Sequence, residues 1–207
     1  MQMTKGIITK VRTFIDWDTA RRVLQTDTYN GRNSLGLRAM IEVQNFISEI
    51  LVDYDKNGNY RIDYRIYHGW HRGKTKTDDY REFENMRINN SLNRRLGKCV
   101  FSPDFSFGNV LLCGGKRKPL YDTLRRRENS DKDEQKMVDT ALVSDLLTSV
   151  RTDRDAIHLI IGDDDDLIPG IITAESWGAK VILGRVRRNF DNSFVDANDL
   201  IRRRKAA

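Results

Sequence analysis

The segment that most narrows the choice of fold is Ala156-Ile157-His158-Leu159-Ile160-Ile161, a nearly continuous apolar run that ends on Gly162-Asp163-Asp164-Asp165-Asp166. The run is too short for an ordinary helix and shows no solvent-facing side, so it reads as a strand buried on both faces, as in a parallel sheet covered by helices. The rest of the chain supplies neighbours for it. Residues 11–15 read as a first strand that ends at Asp16. Residues 34–53 read as a helix, with Leu37, Met40, Ile41, Gln44, Ile47 and Leu51 on one stripe. Asn57-Gly58 marks a turn, and residues 60–67 alternate as a second strand. Residues 71–108 are polar and weakly patterned, with a helix expected over 78–96 and a third strand over 110–113. A capping signal at 130–133 opens a helix expected to reach 148, in which Val138, Ala141, Leu142 and Asp145 share a face. A helix over 169–177, a strand over 180–183 and a last helix over 196–205 complete the series. Strands alternating with helices predict an α/β fold: one domain over residues 1–207, a three-layer α/β/α sandwich around a mainly parallel, Rossmann-like sheet of about five strands.

Composition narrows the setting. No apolar stretch approaches the roughly 18 residues of a membrane span, so no membrane partner is expected. The opening Met1-Gln2-Met3-Thr4-Lys5-Gly6 lacks the apolar core of a secretory leader. Cys99 and Cys113 are too few for a disulfide framework or a Cys-rich zinc site and read as free thiols of a reducing cytoplasm. Lysine and arginine number 36 against 30 acids, for a net charge of +6. Arginine is clustered at Arg21-Arg22, Arg94-Arg95, Arg125-Arg126-Arg127, Arg185 with Arg187-Arg188, and in a basic tail over 201–207. A guanidinium fork suits phosphate, so a polyanion, above all nucleic acid, is the expected partner. The oligomeric state stays open, a homodimer being one option.

Chemistry in such sheets gathers beyond the carboxyl ends of the strands. Two of those ends are acidic: Phe14-Ile15-Asp16-Trp17-Asp18, and the four aspartates after Ile161. Successive carboxylates repel one another unless cations neutralise them. A hard divalent cation with oxygen ligands, Mg²⁺ or Mn²⁺, is the simplest partner. The bland alternative is an Asp-rich loop in which Asp165 or Asp166 caps the next helix. Asp139 lies near a helix start, where it could project over the same crevice. Asp145 falls on an otherwise apolar face and must find a polar partner, either behind the site or on neighbouring backbone.

Three blocks resemble the NYN-domain family of PIN-like ribonucleases. Thr13-Phe14-Ile15-Asp16-Trp17-Asp18-Thr19 is similar to the family's first strand and its terminal acid. Gln135-Lys136-Met137-Val138-Asp139, running on through Ala141 to Leu147, is similar to its K-x-V-D helix. Residues 161–169, followed by Gly178-Ala179-Lys180-Val181, are similar to its D-x-D-[FL]-x-P loop and the next strand, which sets the acid pair on Asp164 and Asp166. The resemblance spans about residues 10–185, with motifs at some forty positions. It departs from the family at Thr19, where Asn is frequent, at the extra acids Asp163 and Asp165, and over 71–108, which has no counterpart. It implies a metal-dependent endoribonuclease that hydrolyses RNA phosphodiester bonds. Asp16, Asp139, Asp164 and Asp166 are then the catalytic, Mg²⁺- or Mn²⁺-holding acids, with Asp18 and Asp163 as the next ligand candidates. Lys136, Arg125, Arg127 and Thr19 face the RNA in this reading, and Trp17 either stacks on a base or packs in the core.

Two other readings compete. A haloacid-dehalogenase-like phosphatase shares an Asp16-Trp17-Asp18 pair and an acidic loop, but Ala20 stands where that family expects Thr or Val, and the block around Asp139 has no role in it. A non-catalytic RNA-binding module of the same fold is the second. The stretch Asp53-Tyr54-Asp55-Lys56-Asn57-Gly58-Asn59 imitates a calcium loop, yet Tyr64 occupies the position of the bidentate Glu, so a plain turn is expected. His68 and His71 could lie at the crevice mouth, and His158 reads as a core residue. Phosphate-binding glycine loops, dinucleotide fingerprints and Ser or Cys nucleophile signatures are absent from the sequence.

Overall fold

The computed structural model describes residues 7–24, 34–113, 119–128 and 131–186, and the backbone of Ser193–Asp196. It is a mixed α/β protein with a mainly parallel central sheet. In chain order the elements are β1 (Ile8–Asp16), α1 (Trp17–Ala20), α2 (Leu35–Tyr54), β2 (Asn59–Tyr67), β3 (His71–Arg72), β4 (Thr75–Lys76), α3 (Asp78–Ile88), β5 (Arg95–Leu96), β6 (Cys99–Phe101), β7 (Ser106–Phe107), β8 (Leu124–Arg126), β9 (Asp133–Gln135), α4 (Val138–Thr152), β10 (Ile157–Ile161), α5 (Ile168–Ser176), β11 (Lys180–Arg185) and β12 (Ser193–Asp196). A short 3₁₀ turn, Asp165–Leu167, precedes α5.

The sheet has eight strands rather than the five or so expected, because short strands from residues 95–107 and the antiparallel β12 extend its edges; the order is β12-β11-β10-β1-β2-β6-β5, with β7 also on the flank of β2. Only the outer strands β12 and β5 pair antiparallel. The chain leaves β1 towards β2 on one side and returns to β10 on the other, so the order reverses between β1 and β10. Such a switch point opens a crevice at the carboxyl ends of its two strands. Ile15 is level with Ile161 across this pair, and Asp16 is level with Tyr67 on the other flank. The acidic stretches that follow β1 and β10 therefore share one edge of the sheet.

Period-two alternation sends the strand side chains into two cores. Val11 and Ile15 join α2, α3 and the aromatic cluster Trp70, Phe83, Phe105 and Phe107. Phe14 and Ile160 join α4 and α5. All of β10 is buried, as its apolar run requires. Helix α2 starts where Ser34 accepts the Leu37 N–H at 3.2 Å, and α4 buries Val138, Ala141, Leu142, Asp145, Leu146, Ser149 and Val150 at helical spacing. Helix α2 passes to β2 through the turn at Asn57-Gly58, where Asp55 accepts the Asn57 N–H, and no second helix follows as a calcium loop would need. Trp17 is a core residue, edge-on to Phe83 with ring centroids 4.8 Å apart.

Four further expectations need correction. The helix expected over 78–96 stops at Ile88, because Asn90 turns left-handed (φ 51°) and the chain then forms the β5–β6 hairpin. Residues 110–113 form no strand. Their backbone is taken by side chains, the Val110 carbonyl by Arg65 and the Leu112 N–H by Asp145, which leaves nothing for a ladder. The helix expected from 130–133 begins only at Val138. Asp133–Gln135 pairs instead with Leu124–Arg126, and Met137, left-handed at φ 66°, turns the chain between the two. Ser130 lies outside the described residues. Asp196, expected to open a last helix, closes β12; residues 197–207, including the basic tail, lie outside the described residues. No helix among the described residues is long and apolar enough to cross a membrane.

Candidate metal centre

The ends of β1 and β10 are built alike. Asp16 Oδ1 accepts the N–H of Asp18 at 3.2 Å, and Asp164 Oδ1 accepts the N–H of Asp166 at 2.9 Å. Each aspartate thereby starts a short helical turn, and its carboxyl is pinned to the strand end. The two ends are neighbours because β1 and β10 pair, and the missing side chain of Gly162 lets the loop after β10 fold Leu167 back over the strand end. A β-carbon there would lie 2.9 Å from Leu167 Cδ1 and 3.8 Å from Asp16 Cβ. The third acid, Asp139, stands in the first turn of α4.

Asp16 is 7% exposed. Its carboxyl is pushed above the usual carboxylate range by burial, against the opposing pull of a hydrogen bond from the Thr19 side chain; the charge of Asp18 adds to the rise. Asp139 is also raised, first by burial and then by the charges of Asp16, Asp164 and Asp166. A helix N-terminus should favour a carboxylate, so the rise marks burial, together with the neighbouring acid charges, outweighing that preference. Asp163 and Asp165 turn instead to Arg185, 3.4 and 3.0 Å away. Arg185 is itself 8% exposed. It was grouped with the phosphate-seeking arginines; the structure buries it as the counter-ion of this loop. Asp18 is likewise paired, with Arg21 at 2.5 Å and with Gln135. Among the described residues, no lysine or arginine forms an ion pair with Asp16, Asp139, Asp164 or Asp166.

The candidate donor set is four carboxylates, three of which add their charge to the burial of the fourth, Asp139, and such concentrated negative charge is what a hard divalent cation relieves. Their spacing is looser than ligation requires: among the described residues, no three Asp, Glu, His or Cys side chains stand close enough together to hold one ion.

The expected substrate contacts divide. Thr19 is 4% exposed and directs its hydroxyl to Asp16 rather than outward. Lys136 pairs with Glu134 at 2.9 Å at the rim, its side chain 46% exposed. Arg125 is tied to Asp122 at 2.6 Å and Arg126 to Asp131 within their own turn and hairpin. From 122 to 136 the chain carries five basic and five acidic residues, so this arm is neutral overall. Arg127 is exposed and enters no ion pair among the described residues.

Asp145 is fully buried. It takes the Tyr67 hydroxyl at 2.9 Å, the Leu112 N–H at 2.6 Å and the Arg65 guanidinium at 3.0 Å, which ties α4 to β2 beneath the crevice. His158 is buried too, bonded to Ser149 at 3.2 Å and stacked on Phe14, three residues before the carboxyl end of β10.

The sequence offers His68 as a residue that could lie at the crevice mouth, and does not single out Asp79 or Gln135 as its partners. His68 directly follows β2, one residue past the partner of Asp16. Its Nε2 is 2.7 Å from Asp79 and its Nδ1 is 2.8 Å from Gln135, which also reaches Asp18. Its position just beyond a strand end level with β1 was the available signal.

Comparison of the chain with protein-family models, with curated proteins and with solved structures gives no match in any of the three.

Proposed function

We propose that this chain is a metal-dependent endoribonuclease of the NYN, PIN-like kind, built as a three-layer α/β/α domain. The observation that carries the reading is the pattern of charge pairing. Seven aspartates surround the crevice; Asp18, Asp163 and Asp165 have arginine partners, while Asp16, Asp139, Asp164 and Asp166 have none among the described residues. The four without partners are the four that the motif resemblance selects.

Asp16, Asp139, Asp164 and Asp166 would hold Mg²⁺ or Mn²⁺. When bound, the ion supplies an activated water and stabilises charge on the phosphate. The chain itself does the rest. Backbone N–H groups of Asp18 and Asp166 orient Asp16 and Asp164. Arg185 draws Asp163 and Asp165 aside. Lys136 at the rim can exchange Glu134 for a phosphate, and Arg127 offers an uncommitted guanidinium on the same arm.

The test is 5′-labelled RNA incubated with the protein and Mn²⁺, Mg²⁺ or a chelator, beside Asp139→Asn and Asp164→Asn. Internal cleavage that needs the ion, and that falls by at least about a hundredfold in folded variants, is the expected result. Variants that cleave at the wild-type rate overturn it. Turnover of a generic phosphate monoester with RNA left intact would instead indicate the phosphatase.

A second reading, a non-catalytic RNA-binding module, is favoured by the loose spacing of the acids. It predicts RNA retention that is indifferent to divalent ions and to Asp164→Asn, with no cleavage in any sample.

A further inference from the structure

We propose that His68 is a positioning residue of the acid crevice: held by Asp79 on one side, its imidazole holds Gln135, and through it Asp18, against the strand end that carries Asp16. The functional part of this inference rests on the crevice being the working site.

The chain of contacts is continuous. Asp79 Oδ2 lies 2.7 Å from His68 Nε2. His68 Nδ1 lies 2.8 Å from Gln135 Nε2. That same amide nitrogen donates to Asp18 Oδ2, and the Asp18 N–H donates to Asp16 Oδ1 at 3.2 Å. The members come from four places in the fold: the first turn of α3, the residue after β2, the last residue of β9 and the first turn of α1. Helix α3 belongs to residues 71–108, the stretch without a counterpart in the resembled family. The chain of contacts gives that stretch a task, bracing the crevice from the β2 side.

The chemistry of the donors sets the direction. An amide oxygen facing Asp18 would repel its carboxylate, so Gln135 must present its NH₂ there. The same NH₂ then faces Nδ1, which must be the bare, accepting nitrogen. The ring proton sits on Nε2 and goes to Asp79. The hydrogen bond from His68 is the main cause that holds the Asp79 carboxyl below its usual range, which keeps it an acceptor. His68 is 7% exposed and lies edge-on to Trp70, with ring centroids 5.3 Å apart, so the ring has little freedom to turn. Groups of this kind, one bond removed from the working carboxylates, commonly change activity or metal affinity 10–100-fold when removed.

The test combines a readout independent of activity with kinetics, on the full chain. Long-range ¹H–¹⁵N NMR should show the His68 ring donating from Nε2 and accepting at Nδ1. His68→Gln keeps a donor for Asp79 while its amide NH₂ stands in for Nε2, and it places no acceptor at the Nδ1 position that Gln135 meets. It should shift the backbone amide signals of Asp18 and Asp16, as should Gln135→Ala, while signals of β10 stay in place. In RNA cleavage both variants should lower kcat about 10–100-fold with little change in KM, and the double variant should be no worse than the poorer single one. A proton on Nδ1, unmoved Asp16 and Asp18 amides in folded variants, or single effects that multiply in the double variant would each overturn the proposal. If the wild type cuts no RNA, the nuclease reading fails by itself, and the NMR signals still decide whether His68 holds this chain of contacts.

Discussion

Asp145 offers the sharpest quantitative prediction. It is a fully buried carboxylate in the apolar stripe of α4, two turns along from Asp139, and three donors converge on it: the Tyr67 hydroxyl, the Leu112 N–H and the Arg65 guanidinium. Arg65 is also saturated, through the Tyr67 hydroxyl at 3.2 Å, Ser106 Oγ at 3.0 Å and the carbonyls of Phe107 and Val110 at 3.2 and 2.6 Å. Breaking a buried pair from one side typically costs about 3–5 kcal/mol, because the remaining charge loses its partner. In Asp145→Ala, Arg65 keeps its other acceptors, while the Tyr67 hydroxyl and the Leu112 N–H lose theirs. Burial holds the Tyr67 hydroxyl far above its usual range, so it stays a neutral donor in need of an acceptor. A loss of about 4 kcal/mol follows. With a urea m-value on the order of 2 kcal/mol/M, the unfolding midpoint should fall by about 2 M. Arg65→Met should cost a similar amount. The double variant Arg65→Met/Asp145→Ala leaves neither charge unpaired and should recover at least about 2 kcal/mol relative to the sum of the single losses. Urea unfolding of the four proteins measures this cycle. A single-variant loss below about 1 kcal/mol, or a coupling energy near zero, would refute the view that this triad ties α4 to β2.

Three further outcomes are expected. Asp16 and Asp139 have folded-state carboxyls above their ordinary values. Each therefore contributes stability that is complete below about pH 4, the ordinary carboxylate range, and is lost as pH rises through its folded value. Thermal unfolding of Asp16→Asn/Asp139→Asn should show an advantage over wild type that grows from pH 4 to pH 7; an advantage constant with pH would contradict the electrostatic account. In fluorescence anisotropy with single-stranded RNA on an Asp164→Asn background, Arg127→Ala should lower the salt slope by about 0.7, the value of one phosphate contact, and Arg125→Ala, already paired with Asp122, by less. Equal slopes would refute that distinction. Met137 is left-handed and exposed just ahead of α4, so Met137→Gly should raise stability by about 1 kcal/mol in thermal unfolding, and a loss would show that no strain is stored there.

The parallel core was legible because its strands announce themselves locally. The apolar run of β10 and the alternation of β2 require no knowledge of what lies opposite, and the stripe on α2 is equally self-contained. The acidic strand ends were legible for the same reason, since topology alone carries Asp16 and Asp164 to one edge. What stayed hidden depends on partners distant in sequence. Arg185 looks like one more basic residue until the β10–β11 pairing brings it beneath Asp163 and Asp165. The short strands of 95–107 and 133–135 are two or three residues long, below the length at which alternation can be read. Residues 110–113 have the composition of a strand, yet their backbone bonds go to Arg65 and Asp145, side chains 45 and 33 positions away. The place of His68 after β2 suggested the crevice mouth, but its partners did not show, because Asp79 and Gln135 lie 11 and 67 positions away.

The distribution of counter-ions also separates two accounts of why an acidic run follows β10. If the run served only to cap the turn before α5, Asp164 alone would suffice, since its Oδ1 already takes the Asp166 N–H. Asp163, Asp165 and Asp166 would then be free to vary, and nothing would call for a buried guanidinium beside them. The structure instead commits Arg185 to Asp163 and Asp165 and leaves Asp164 and Asp166 to act on Asp139. Repulsion is thereby lowered everywhere except where the loop meets Asp139 and Asp16. A loop that needed only neutrality would be relieved just as well by a second arginine on that side. What the pairing leaves is charge gathered on Asp139 at a switch point, beside carboxyls held in place by backbone N–H bonds, and this is the observation on which the proposed cation site rests.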